Sequence, residues 1–146
     1  MTWSHDITLV FPAPQVIVGL KADGYRLTTA ITLAEPLEFA FIADRGGAFP
    51  YNRLLRIPAG FVSDGASVPR MFWRLLSPPI DPVTLAPSIA HDWLYIHGSG
   101  LGFTRKECDR WYDFALQANG YPLWKCELTY AGIRLGGWSH WNKMQS

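Results

Sequence analysis

Cysteine is scarce: Cys108 and Cys126 are the only two in 146 residues. Two thiols make no disulfide framework, and their spacing fits no common zinc pattern. They read as buried thiols in a reducing compartment. Charge is sparse as well. Charged residues are 17% of the chain and the formal net charge is +1, so the basic footprint of a nucleic-acid binder is missing. No apolar run approaches the ~20 residues that span a bilayer. The opening "MTWSHDITLV" has no basic n-region and no apolar core, so no signal peptide is expected. Internal repeats and low-complexity segments are absent. So are H-E-x-x-H, the P-loop, G-x-G-x-x-G and G-x-S-x-G, which removes the commonest zinc-protease, nucleotide and serine-hydrolase readings.

Aromatics, by contrast, are abundant, with seven Trp, eight Phe and six Tyr in a chain that is 49% hydrophobic. That composition excludes wholesale disorder, and the length suits one domain, 1–146, with a real core. Aromatic side chains anchor cores and interfaces alike.

The character of the chain changes near residue 60. Before it, "QVIVGL" (15–20), "YRLTTAITL" (25–33), "LEFAFIA" (37–43) and "RLLRIP" (53–58) are strand-like. Leu37, Phe39 and Phe41 alternate onto one face, and "ADG" (22–24) reads as a hairpin turn. After it, the signals are helical. Pro69 opens a short helix to about Leu76, and Thr84 is a candidate cap for a helix through Ile96. "HGSGLG" (97–102) breaks the chain. Thr104 and Glu107 then form a capping box for a helix from Arg105 to about Ala118. Asn119-Gly120 closes that helix, and Pro122 starts another that reaches the Gly-Gly pair at 136–137. Strands followed by helices give an α+β fold: an N-terminal antiparallel sheet (1–58) packed against a helical half of three to four helices (59–137), with a C-terminal tail (138–146).

Polar residues that interrupt apolar stretches are the candidates for chemistry. In "SIAHDWLY", His91 and Asp92 break an apolar helix. An ionised Asp there must be paired, coordinated or open to a cleft. His91 is a candidate general base. Asp109, in "TRKECDRWYDFAL", is its expected partner. The short break at 97–102 folds the two helices into a hairpin, which brings Asp109 to the height of His91 and lets it accept from one imidazole nitrogen. Asp64, in "GFVSDGASVPRMFWRLL", sits in a small-residue bend where backbone can approach closely. The candidate catalytic set is His91, Asp109 and Asp64, and the candidate ligands for one divalent metal ion are Asp92 and Asp64. The bland reading of each stands beside it: Asp64 as an Asx-turn or helix cap, and His91-Asp92 as an internal brace. Cys108 lies beside acids rather than cations, which disfavours a reactive thiolate.

The stretches "GFVSDGASVPRMFWRLL", "AHDWLY" and "TRKECDRWYDFAL", in that order, resemble the signatures of the domain of unknown function family 1353, over roughly residues 50–136. The resemblance implies an origin in tailed bacteriophages or prophages, often near tail and lysis genes, and a cluster of Asp64, His91, Asp92 and Asp109 in one place. "AHDWLY" with Asp109 is also similar to the site of secreted phospholipases A2. There a helical His-Asp pair faces an aspartate from an antiparallel helix; the His is the base and the adjacent Asp binds calcium. The disulfides and the cysteine-bearing calcium loop of those enzymes are missing here.

Two functions follow. One is a phage-encoded protein of the tail or lysis region with a His-Asp, hydrolase-type site acting on a cell-envelope component. The other is a non-catalytic virion component, of tail or baseplate, in which the cluster is a brace. Trp138 and Trp141, on the segment after Gly-Gly, are candidate contacts to virion proteins or the envelope component. The expected location is the host cytoplasm during synthesis, with incorporation into the virion in the second case.

Overall fold

The computed structural model describes residues 15–23, 26–44, 50–63 and 84–145. Five strands come first: β1 (Val16–Asp23), β2 (Arg26–Leu33), β3 (Leu37–Asp44), β4 (Pro50–Ile57) and β5 (Val62–Ser63). Three helices follow: α1 (Leu85–His97), α2 (Arg105–Ala118) and α3 (Leu123–Gln145), with a 3-10 turn at Ser99–Leu101 between the first two. The fold is α+β, with antiparallel strands preceding helices. The helix expected at 69–76 lies outside the described residues.

The strands fall into two antiparallel groups rather than one sheet. β1, β2 and β5 form one in that order, and β3 pairs with β4 in the other. β5, which sequence reading did not anticipate, exists because the chain turns back after β4. Leu33 N–H donates to Phe61 O at 2.9 Å and Gly60 N–H to Leu33 O at 2.8 Å. Ser63 is thereby set opposite Ile31. Alternation decides which residues face the core: Ile31 and Leu33 of β2, Leu37, Phe39 and Phe41 of β3, and Leu55 and Ile57 of β4 are buried.

α2 packs against β3. The fully buried Trp111 lies 4.9 Å from Phe39 between ring centroids, and its indole N–H donates to Ala40 O at 2.8 Å. That bond satisfies the one polar group of a large apolar side chain. The Thr104–Glu107 capping box forms as expected, with Glu107 N–H donating to Thr104 Oγ1 at 3.1 Å and Thr104 N–H to Glu107 Oε1 at 3.0 Å. Thr84 occupies the N-cap of α1 but makes no capping bond through its side chain, because its backbone is already helical.

The C-terminal segment corrects the expectation of a tail. α3 runs through Gly136-Gly137 to Gln145 without a break. At Gly137 side chains of α1 and α2 come up against α3. A Cβ there would meet Tyr95 Oη at 2.7 Å and Arg105 Nη1 at 3.3 Å. This glycine makes room for a neighbour, whereas a helix-ending glycine supplies a left-handed turn. Trp141 accordingly has a core to join. It is half-buried, with its ring edge-on to Tyr95 at 5.3 Å. Trp138 lies in the helix, and its side chain is outside the described residues.

Gly137→Ala gains about 1 kcal/mol in helix propensity, yet it must displace the Tyr95 hydroxyl. We expect a net loss of about 1–2 kcal/mol, within the range for overpacking. A urea melt of the variant checks the sign: a gain in stability would mean that Tyr95 moves aside freely.

Candidate functional site

α1 and α2 run antiparallel across the short 98–104 connection. The pairings show it: Ser88 meets Tyr112 at 2.9 Å near the start of α1, while His91 and Tyr95 meet Asp109 one turn and two turns later. His91 and Tyr95 are four apart and share a helix face, so a single carboxylate engages both. His91 Nε2 lies 2.8 Å from Asp109 Oδ1, and the Tyr95 hydroxyl donates to the same oxygen at 2.5 Å. The second oxygen, Oδ2, takes Arg134 Nη1 at 2.8 Å from α3 and Arg105 Nη1 at 3.4 Å from one turn earlier on α2. Arg105 also donates to the Ile133 and Arg134 carbonyls, at 3.2 and 3.4 Å. Three helices are therefore tied at one carboxylate.

The pair is buried. The side chains of His91 and Asp109 are both 0% exposed. The His91 ring lies between Tyr95 and Tyr112, at 4.4 and 4.5 Å between centroids. Burial alone would raise the Asp109 carboxyl. The bond from His91, its field, and the bonds from Tyr95 and Arg134 outweigh it, and they hold the group below the usual carboxylate range. Burial drives the Tyr95 phenol far up, and the charge of Asp109 adds to this, so Tyr95 stays a neutral donor. Tyr112 is raised by burial too. Burial pushes the Cys108 thiol far up and that of Cys126 up to about 12. Both cysteines are free and buried, and neither is a thiolate at neutral pH.

The carboxylate accepts at Oδ1, so the proton of the His91–Asp109 bond sits on Nε2. An imidazole oriented through one nitrogen by a carboxylate is a geometry shared by general bases and by buried structural pairs.

Asp92, next along α1, leaves the Asp109 knot. It is half-buried, and its Oδ2 accepts from the Ser63 hydroxyl at 2.5 Å. β5 thus reaches the helix at the residue beside His91. Asp64 follows Ser63 in the chain but lies outside the described residues. Among the described residues no group of three or more His, Cys, Asp or Glu side chains could hold a metal ion. Asp64, the second candidate ligand beside Asp92, lies outside those residues. Asp113, half-buried on α2, accepts from Gln117 at 3.1 Å.

Sequence reading grouped Asp64, His91, Asp92 and Asp109; the structure sets His91 against Asp109 and turns Asp92 to Ser63, while Asp64 lies outside the described residues. The reading missed Arg105 and Arg134 as partners of Asp109. Arg105 stands four residues before Asp109, a spacing that on a helix suggests an ion pair, whereas Arg134 carries no local signal. Among the described residues no helix is long and apolar enough to cross a membrane.

The family model described as "Protein of unknown function (DUF1353)" matches residues 47–133. That span holds His91, Asp92 and Asp109. The chain is also similar to "Uncharacterized protein y4jT" of Sinorhizobium fredii (strain NBRC 101917 / NGR234), at 29% identity over 100 residues. The similarity covers 68% of this chain and 27% of that relative's length. No solved structure matches.

Proposed function

The chain belongs to the DUF1353 family of proteins of unknown function, and from that premise we propose that it is a hydrolase in which His91 is the general base and Asp109 the positioning acid. The observation that carries this reading is the 2.8 Å contact between His91 Nε2 and an Asp109 carboxylate already saturated by Tyr95 and Arg134. Such a carboxylate is fixed in place and fixes the ring in turn. In the reaction, which requires substrate binding to open the buried ring to water, the imidazole takes a proton from water as the water oxygen attacks an acyl carbon of the substrate. The proton then passes to the leaving group. Asp109 stays ionised throughout, and its negative charge stabilises the imidazolium formed on the way. Asp92, half-buried and next along α1 from the base, supplies a carboxylate for orienting the substrate.

The substrate class is a cell-envelope component, and the origin a phage or prophage tail or lysis region. Both rest on the family resemblance and on the similarity of "AHDWLY" with Asp109 to the phospholipase A2 site. The direct experiment offers the purified protein two probes. Fatty acid release is followed from phosphatidylethanolamine–phosphatidylglycerol vesicles, and soluble fragment release from peptidoglycan sacculi. Release from one of them is the expected result. A folded protein that releases nothing from either, with or without added calcium, sinks the hydrolase reading.

A second reading is supported by the complete burial of both the His91 and Asp109 side chains. In it the cluster braces three helices of a virion component made in the host cytoplasm, and no reaction occurs. The two readings part on the His91 variant argued in the Discussion.

A further inference from the structure

α3 carries an apolar stripe on the side away from the site. Cys126, Thr129 and Ile133 are buried, at 0, 2 and 1% exposure, and mark its inward face. On the outward face Trp124 is 54% and Leu135 77% exposed. Between them Ala131 is exposed and Leu128 half-buried. Positions 124, 128, 131 and 135 step by four, three and four, and the next step of three reaches position 138, a Trp in the sequence. This is the 3.5-residue repeat of a helix that packs along another helix. Single exposed apolar residues need no explanation; a heptad seam on a 23-residue helix does.

We infer that this stripe docks on the same stripe of a second copy of the chain, with the two α3 helices antiparallel and crossing at Ala131. Two features single out a second copy. The first is the order of residue sizes, Trp124, Leu128, Ala131, Leu135 and then Trp138, which reads the same in both directions. A two-fold interface needs a surface complementary to itself. Antiparallel pairing about Ala131 sets Leu128 against the partner's Leu135, and the small residue lets the helices approach at the crossing. The second is charge. Glu127 and Arg134 flank the stripe on one side, the first exposed and the second with 30% of its side chain exposed. In an antiparallel pair that flank faces itself, so Glu127 meets the partner's Arg134, and the symmetry makes the pair twice. A parallel pair places neither charge against its opposite.

The seam is short. From 124 to 138 it runs about 21 Å at 1.5 Å per residue, below what an interface of ~1,200–2,000 Å² needs. The dimer is accordingly weak, with a Kd on the order of 10–100 µM. The dimer does not rest on the proposed chemistry, and Arg134 is the residue that the stripe's flank shares with the Asp109 knot.

Sedimentation equilibrium on the whole chain is the test. The average mass should climb from 16.4 kDa toward twice that between about 1 and 200 µM. Leu135→Glu, at a site 77% exposed and thus harmless to the fold, should hold the mass at that of the monomer. Glu127→Arg should weaken the dimer about tenfold by facing the partner's Arg134 with a like charge. Mixed Leu128→Cys and Leu135→Cys chains should cross-link to each other in preference to themselves. A wild type that stays monomeric at 200 µM overturns the inference. So does a dimer that Leu135→Glu leaves intact, or cross-linking that favours like with like.

Discussion

Asp109→Ala should cost about 3–5 kcal/mol of folding stability, the loss typical of breaking a buried ion pair by removing one member. At an m-value of about 2 kcal/mol per M, the urea midpoint falls by about 2 M. The size of the effect follows from what is left behind. His91 and Tyr95 are fully or almost fully buried, and each loses the acceptor for its polar hydrogen. Arg105 and Arg134, with side chains 17% and 30% exposed, turn partly to water and recover some of their loss. Asp109→Asn keeps one acceptor oxygen and so should fall between wild type and Ala. A loss below about 1 kcal/mol for the Ala variant would show that the three helices are held by apolar packing alone, and the knot at Asp109 would then have no structural role.

The same residue sets an acid limit. Burial pulls the Asp109 carboxyl up, but His91, Tyr95 and Arg134 together hold it below its ordinary value. A carboxylate with a depressed folded pKa contributes stability that is fully present above its unfolded pKa, about 4 for Asp. That contribution is lost as pH falls through the folded value. Wild type should therefore lose stability on acidification below about pH 4, and Asp109→Asn should show a shallower loss over that window.

The His91–Asp109 contact was legible because it depends on local facts. A periodic apolar helix, a short Gly-rich break and a capping box fix two antiparallel helices, and their lengths fix which residues meet. The core face of β3 was legible by alternation. What escaped reading has a common cause. Arg134 reaches Asp109 from 25 residues away, on a helix whose placement depends on packing. Gly136-Gly137 looks the same whether it ends a helix or clears space for Tyr95, and only the neighbour decides. β5 is two residues long and has no period to detect. Its effect is to set Ser63 against Asp92, which no spacing rule foresees.

His91→Gln decides between reaction and brace. Gln keeps a donor for Asp109 Oδ1 but has no ring to sit between Tyr95 and Tyr112 and no basic nitrogen. Both readings predict lower stability, by about 1–3 kcal/mol, from the lost packing and the looser bond. They differ in what the remaining folded molecules do. If His91 is the base, hydrolysis falls by about 10²–10⁴-fold, and it does so per folded molecule, well below the melting temperature. If the cluster is a brace, envelope hydrolysis is absent in wild type. Any assembly function of the variant then tracks its folded fraction and is restored by cooling. Asp92→Asn supplies the contrast. Asp92 is half-buried and bonded to Ser63, outside the Asp109 knot, so its variant should lose little stability while substrate orientation suffers. Catalytic rate and folded fraction measured on the same preparations give the answer. A His91→Gln protein that is folded at low temperature and as active as wild type would remove His91 from the chemistry.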